Sequence, residues 1–129
     1  MDWQYQVELG RQCLKHNDSE GALHLLGRAM CPLYQPPPED EVELLQLLAK
    51  AKFNLGQLGE ARGFLEEALA TMFASPRSFD RSAHALCLID LGEVLLYQRE
   101  YPLADETLSR AMVSLLHPPL DRTATGRCA

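Results

Sequence analysis

The two side chains best suited to chemistry in this chain are a histidine and a cysteine one helical turn apart, His84 and Cys87. An imidazole and a thiol at this spacing share one face of a helix, where they could bind a metal ion or pair as base and nucleophile. Zinc normally takes three or four protein ligands, however, and the other histidines lie far away in sequence. Cys87 fits better as a small core residue. We therefore predict no metal site.

The other polar residues form no catalytic pattern either. The sequence contains neither a glycine-rich phosphate loop nor a nucleophile elbow. Its acidic residues are scattered as they are on solvent-facing helix surfaces. We predict that the protein is not an enzyme and uses no cofactor.

Composition narrows the range of partners and compartments. The 129 residues include 12 Lys and Arg against 18 Asp and Glu, a net charge of −6, which disfavours binding to nucleic acid or anionic membranes and suits a basic partner. No stretch is long and apolar enough to cross a bilayer. The four cysteines form no Cys-x-x-Cys motif, and nothing near Met1 resembles a secretory signal. We predict a cytoplasmic protein with free thiols and no membrane insertion.

One pattern occurs three times, in windows that cover residues 9–29, 48–68 and 91–111. Each window begins with Leu and then Gly or Ala, and after eleven free positions it continues with Ala, Leu and Ala. The shared residues are Leu9, Gly10, Ala22, Leu26 and Ala29; Leu48, Ala49, Ala61, Leu65 and Ala68; and Leu91, Gly92, Ala104, Leu108 and Ala111. The offsets of 39 and 43 residues between windows are typical of a repeated supersecondary unit.

Each unit has the pattern of two helices joined by a short turn. Apolar residues recur every three or four positions, and the polar segments KHND, GQLGE and QREYP separate the two helices of each unit. Pro102 suits the first turn of a helix, where its missing N–H is no loss. We predict helices over residues 3–16, 20–33, 40–54, 58–73, 78–98 and 101–116.

Small residues within the helices indicate how the two helices of a unit pack. Gly inside a helix costs about 1 kcal/mol relative to Ala, so Gly10 and Gly92 need a packing reason. We expect the small residues to let the two backbones approach closely, with Leu filling the space beside them.

This pattern resembles that of tetratricopeptide repeats (TPRs), in which Leu-Gly on a first helix is followed by Ala, a large apolar residue and Ala on a second. The Leu-Gly pairs at 9–10 and 91–92, Tyr101 and the Ala pairs of all three windows match it. The positions where the family has an aromatic residue hold Cys13, Lys52 and Leu95. The long offsets are similar to those of kinesin light chain repeats.

The resemblance implies an all-α fold, a right-handed α-solenoid of three TPR-like helical hairpins with about six helices. It implies a single array over residues 3–117, with repeats near 3–36, 42–75 and 85–118. Residues 118–129 would form a short C-terminal tail, which we expect to be disordered.

In TPR proteins, the first helices of successive repeats line a concave groove that binds a peptide or helix of another protein. The resemblance therefore implies a protein-binding adaptor or scaffold. Carried over by position, the predicted partner-binding residues are Gln4, Arg11 and Lys15 from the first helix; Glu43, Gln46, Lys50 and Asn54 from the third; and Leu86, Ile89, Asp90, Glu93 and Tyr97 from the fifth. The alternative is that they form only a solvated polar face.

One kind of partner is disfavoured by the residues themselves. TPR co-chaperones bind the acidic tail of heat-shock chaperones with Lys, Asn and Arg side chains, and the corresponding residues here are Val7, Arg11, Leu47, Leu86 and Asp90. Of these, only Arg11 could bind a carboxylate, and Asp90 would repel one.

The fifth helix is apolar on nearly every side, and such a helix must be covered over most of its surface. Either the neighbouring helices cover it, or Leu86, Ile89 and Tyr97 form an apolar stripe that receives a partner.

The last hairpin is expected to lack a polar cap, which solenoids need at each end. Pro118 and Pro119 stop the helix, and the residues after them are few and polar, so we expect Leu115 and Leu116 to lie bare. This supports a second hypothesis, in which the chain is a structural assembly or oligomerisation module that packs through its uncapped ends, for example by self-association through the C-terminal hairpin.

Overall fold

The computed structural model describes residues 3–30 and 35–116, and in these residues the chain is helical and contains no strand. The helices are α1 (Trp3–Lys15), α2 (Ser19–Ala29), α3 (Pro38–Asn54), α4 (Leu58–Ala74), α5 (Arg81–Tyr97) and α6 (Tyr101–Leu116). The prediction of an all-α fold with six helices is confirmed. Within the described ranges, none of these helices combines the length and the apolar character needed to span a bilayer.

The helix bounds differ from the sequence prediction where proline occurs. α3 begins at Pro38, two residues before the predicted start, because the first turn of a helix tolerates the missing N–H. α5 begins at Arg81 rather than residue 78, because Pro76–Ser78 forms a separate 3₁₀ turn and Phe79 is extended. The carboxylate of Asp80 then caps α5 by accepting a hydrogen bond from the N–H of Ala83 at 2.8 Å.

The end of the second helix also differs from the prediction. α2 ends at Ala29, where residue 33 was predicted, and residues 31–34 lie outside the described residues. The predicted tail of residues 118–129 lies outside them as well.

Consecutive helices pack as three helix pairs, α1 with α2, α3 with α4 and α5 with α6. Each pair is joined by three residues, 16–18, 55–57 and 98–100, so its two helices must run antiparallel. Contacts of α2 with α3 and of α4 with α5 join one pair to the next. Every helix after the first therefore packs on the helix before it.

The turns within the three pairs share one backbone conformation. Asn17, Gly56 and Arg99 all have a positive φ, at 63°, 80° and 64°. In each turn the next residue donates its N–H to the carbonyl five positions back, at 2.7 to 2.9 Å: Asp18 to Cys13, Gln57 to Lys52 and Glu100 to Leu95. This is the Schellman ending of a helix, which satisfies carbonyls that have no partner in the last turn. The three left-handed residues are separated by the same 39 and 43 positions as the sequence windows.

Gly10 and Gly92 lie where the first helix of a pair approaches the second. A Cβ atom built on Gly10 would be 2.6 Å from Cγ of Leu26, and one built on Gly92 would be 2.6 Å from Cγ of Leu108. These separations are far shorter than the 3.5 to 4.0 Å, roughly, at which carbon atoms attract. The expected close approach of helices at these glycines is confirmed.

The buried side chains form two clusters that meet at α3. The first cluster joins α1, α2 and α3, and includes Val7, Leu26 and Leu48. The second joins α3 to α6, and includes Leu45 and Leu88. The two Ala of each sequence window are buried in one cluster or the other. α3 thus contributes side chains to both clusters and holds the first helix pair to the rest.

We expect Gly92→Ala and Gly63→Ala to change stability in opposite directions. The added methyl of Gly92→Ala meets Leu108, so the free energy of unfolding should fall by about 1 to 3 kcal/mol. Gly63 is exposed in the middle of α4, and a Cβ there meets nothing within 4 Å. Gly63→Ala should therefore raise the free energy of unfolding by about 0.5 to 1 kcal/mol. Urea unfolding measures both, and two effects of the same sign would contradict the helix contact described at Gly92.

The shared turn conformation gives a second pair of opposed substitutions. A residue other than Gly destabilises the fold by about 1 to 2 kcal/mol when its backbone is left-handed. Gly has no such strain, but it loses more backbone entropy on folding, so the net gain from Gly is smaller than the strain it removes. Arg99→Gly should raise the free energy of unfolding by about 0.5 kcal/mol, and Gly56→Ala should lower it by about 1 kcal/mol. Thermal or urea unfolding measures both changes. Destabilisation by Arg99→Gly would mean that residue 99 is not left-handed.

Candidate partner-binding groove

A cavity of about 560 Å³ lies between α3 and α5. α5 packs mainly on α4, and α3 contacts α5 less extensively than α1 contacts α3 at the other end of the molecule. We call this cavity the α3–α5 groove. Its polar residues are Gln46, Lys50 and Asn54 from α3, and Asp90 and Glu93 from α5. Its apolar residues are Leu47, Ala49 and Phe53 from α3, Leu65 from α4, and Leu86 and Val94 from α5.

The charges of the groove favour a cation. Asp90 and Glu93 lie one turn apart on α5, and Lys50 faces them from α3, so the ionised groove carries one negative charge in excess. Loss of hydration, and next the nearby charge of Glu93, raise the pKa of Asp90, while Lys50 lowers it to a smaller extent. The positive charge of Lys50 therefore does not offset the loss of hydration and the charge of Glu93 at Asp90. A further positive group placed beside Asp90 would stabilise its ionised form.

The apolar residues of the groove are partly exposed: Ala49, Leu65 and Val94 are buried, and Leu86 is open to solvent. Leu86 is 59% exposed, and Tyr97, at the edge of the groove, is 64% exposed. The ring of Phe53 packs edge to face against Tyr97, with ring centroids 5.0 Å apart, so these two aromatic residues support each other. Exposed apolar side chains beside a charged rim are typical of a surface that binds another protein.

The structure brings together half of the twelve predicted partner-binding residues. The six that line the α3–α5 groove are Gln46, Lys50, Asn54, Leu86, Asp90 and Glu93. Lys15, Ile89 and Tyr97 do not line it. Of the apolar stripe considered on the fifth helix, only Leu86 lines the groove.

The three remaining predicted residues, Gln4, Arg11 and Glu43, line a separate recess of about 330 Å³ between α1 and α3. Arg11 forms ion pairs there with Glu8 and with Glu43, so its guanidinium is already bound to carboxylates of the chain itself. The Arg11–Glu43 ion pair links α1 to α3. These residues do not form one continuous groove with α5.

Sequence reasoning missed most of the apolar floor of the α3–α5 groove. Leu47, Lys50 and Phe53 follow one another at intervals of three residues on α3, and this spacing places them along one face of the helix. That spacing was a usable signal. Leu65 could not have been found in this way, because it reaches the groove from α4, the second helix of its pair.

His84 and Cys87 do not combine into a reactive centre. Burial raises the pKa of Cys87 to about 12, and its Sγ donates a hydrogen bond to the carbonyl of Leu65 at 3.7 Å. A thiol with this pKa stays protonated near neutral pH and is a poor nucleophile. The ring of His84 packs edge to face against Phe73 instead, and burial lowers the pKa of His84. In residues 3–30 and 35–116, no three His, Cys, Asp or Glu are grouped so that they could hold a metal ion.

The raised pKa of Asp90 predicts that its carboxylate costs stability at neutral pH. When folding raises the pKa of a carboxyl group, ionisation of that group lowers the free energy of unfolding. For Asp90 this loss develops as the pH rises from the ordinary pKa of 3.8 through the raised pKa of the folded protein. Asp90→Asn should therefore raise the urea midpoint at pH 7, and the gain should vanish below pH 3.8, where both side chains are neutral. Glu67→Gln, at an exposed carboxyl on α4, is the control for general charge repulsion. A lower midpoint for Asp90→Asn at pH 7 would show that Lys50 outweighs the other two effects.

Comparisons with protein-family models, with curated proteins and with solved structures find no match to this chain. The resemblance to tetratricopeptide repeats therefore rests on the spacing of residues within the chain itself.

Proposed function

We propose that this chain is a protein-binding adaptor, a right-handed TPR-like solenoid of three helix pairs that holds a segment of a partner protein in the α3–α5 groove. The observation that supports it most is the groove itself, in which six residues predicted from the repeat surround an apolar floor. A groove lined by the first helices of neighbouring pairs is where a repeat array of this kind binds its ligand.

The helix bounds support the solenoid part of this proposal. α3 and α5 begin at Pro38 and Arg81, and α4 and α6 begin at Leu58 and Tyr101, so both helices of the second pair recur 43 positions later in the third. Each second helix packs on the first helix of the next pair. Repetition of a unit whose second helix packs on the first helix of the next unit favours a superhelical array.

The dimensions of the groove suit a short peptide segment. From Gln46 to Asn54 it follows α3 for about 12 Å at 1.5 Å per residue, a length that about four residues of extended chain would cover. Recognition of this kind combines a few apolar anchors with charges at the rim. A segment of this length is therefore the simplest occupant.

The chemistry of the lining residues specifies the segment further. An apolar side chain of the ligand would contact Leu47, Phe53 and Leu86, and a Lys or Arg beside it would lie against Asp90 and Glu93. The net charge of −6 for the whole chain favours approach of the same kind of ligand. We therefore propose a basic segment with at least one large apolar residue.

Selection from a random peptide library displayed on phage tests the proposal without a known partner. The wild-type protein should enrich peptides in which Lys or Arg is next to a large apolar residue. Their affinity, measured by fluorescence anisotropy with the synthetic peptides, should fall about tenfold in Glu93→Lys, because a like charge then faces the ligand. Glu67→Lys makes the same change in net charge on α4, outside the groove, and should leave the affinity close to that of the wild type.

Two results would contradict the adaptor proposal. One is a selection that enriches no peptide family above a folded control protein. The other is an enriched family whose affinity falls equally in Glu93→Lys and Glu67→Lys, since that would show a response to net charge rather than to the groove.

A further inference from the structure

Two aromatic rings at the edge of the α3–α5 groove form a corner. The ring centroids of Phe53 and Tyr97 are 5.0 Å apart, and the planes of the two rings meet at 85°. In an edge-to-face contact, the ring that contributes its edge keeps both of its faces clear of its partner, and the other ring's face extends beyond the contact. The two rings therefore present walls at nearly a right angle. We call this feature the aromatic corner.

The aromatic corner is accessible from solvent and continuous with the groove. The side chain of Tyr97 is 64% exposed. Phe53 is partly buried and lines the groove, so it connects the corner to the apolar floor. Because each ring supports the other, a ligand that packs on them would restrict little side-chain motion, and less of its binding free energy would be lost to ordering.

A carboxylate lies one helical turn before the exposed ring. Glu93 and Tyr97 are four residues apart on α5, a spacing that brings two side chains to the same face of a helix, with about 6 Å between their Cβ atoms. Glu93 is exposed and lines the groove, and none of the ion pairs within residues 3–30 and 35–116 involves it. Lys50, across the groove on α3, acts on the carboxylate of Asp90. The carboxylate of Glu93 is therefore the negative group beside the aromatic corner.

We propose that the aromatic corner and Glu93 hold an arginine side chain of the partner segment and select arginine over lysine. A guanidinium group is planar, so its face stacks on a ring while the N–H groups at its edge donate hydrogen bonds to a carboxylate. The ammonium group of lysine is a compact, strongly hydrated charge without a flat face, so it gains less from the rings. Leu47 and Leu86 remain for the apolar side chain of the segment.

The mixture of rings and carboxylates separates arginine from the other cations that aromatic rings bind. A trimethylated ammonium group has no N–H, so it would give the carboxylate of Glu93 no hydrogen bond. Cages for such groups are built from aromatic rings, whereas here two rings lie beside Glu93 and Asp90. The inference rests on the proposed adaptor function, and it names the basic residue of the segment that the groove would bind.

Titration of the ¹⁵N-labelled protein with capped dipeptides, followed by nuclear magnetic resonance, tests this preference without a known partner. The ligands are acetyl-Leu-Arg-amide and the same peptide with lysine, trimethyl-lysine or citrulline in place of arginine. The arginine peptide should bind about three- to fivefold more tightly than the lysine peptide, and its largest shifts should include the amides of Glu93 and Tyr97. The citrulline peptide, which keeps the shape of arginine without its charge, should bind more weakly than the arginine peptide.

Two tyrosines of the third helix pair provide matched variants. Tyr97→Leu removes one wall of the aromatic corner, so the affinity for the arginine peptide should fall about three- to fivefold, to that for the lysine peptide. Tyr101 is 57% exposed at the start of α6 and does not line the groove, so Tyr101→Leu should keep the preference for arginine. Glu93→Gln keeps the size of the side chain and should weaken binding of the arginine peptide about fivefold. Circular dichroism of each variant checks that it remains folded.

Four results would overturn the inference. Equal affinities for the arginine and lysine peptides would show that the rings do not select between them. Tighter binding of the trimethyl-lysine peptide than of the arginine peptide would show that the carboxylate plays no part. An unchanged preference in Tyr97→Leu would place the arginine elsewhere. Absence of shifts from every dipeptide would also exclude the site, while the adaptor proposal is judged separately by the selection of longer peptides.

Discussion

The distance at which the two helices of a pair pack is set by contact between a small residue on the first helix and a leucine on the second. Gly10 lies against Leu26, and Gly92 lies against Leu108, so closely that a Cβ atom would overlap the leucine. The middle pair has Ala49 at the corresponding position, and it is buried in the same cluster as Leu65. Because these contacts fix each pair as a rigid unit, the shape of the whole depends on how the units meet.

The units meet differently at the two junctions, and the difference creates the groove. At the first junction, α1 contacts α3, and the ion pair of Arg11 with Glu43 links the two helices. At the second junction, the ring of Phe53 contacts that of Tyr97, and Lys50 and Asp90 line opposite sides of the α3–α5 groove. The larger of the two cavities lies at the second junction, and its walls combine apolar surface with an excess of negative charge.

The repeat made the helices, their pairing residues and the close approach at the glycines predictable, because these depend on local spacing and on the size of single side chains. The partners of long polar side chains were not predictable, since Arg11 can reach several carboxylates and helical spacing does not choose among them. The fifth helix was predicted to begin at residue 78, too early, because a 3₁₀ turn and the first turn of an α-helix accept the same residues. Ile89 was carried over to the groove by its repeat position, but it does not line the groove.

The central claim, that the α3–α5 groove is a binding surface, is tested most directly by nuclear magnetic resonance. A basic peptide with a large apolar residue would be added to ¹⁵N-labelled protein, and shifts of the backbone amide signals would be mapped onto the structure. We expect the largest shifts to cluster on α3 from residue 46 to 54 and on α5 from residue 86 to 94. Shifts that concentrate on α2 or on the outer side of α4 would contradict binding in the groove. The absence of any shift at the highest peptide concentration that stays dissolved would contradict it as well.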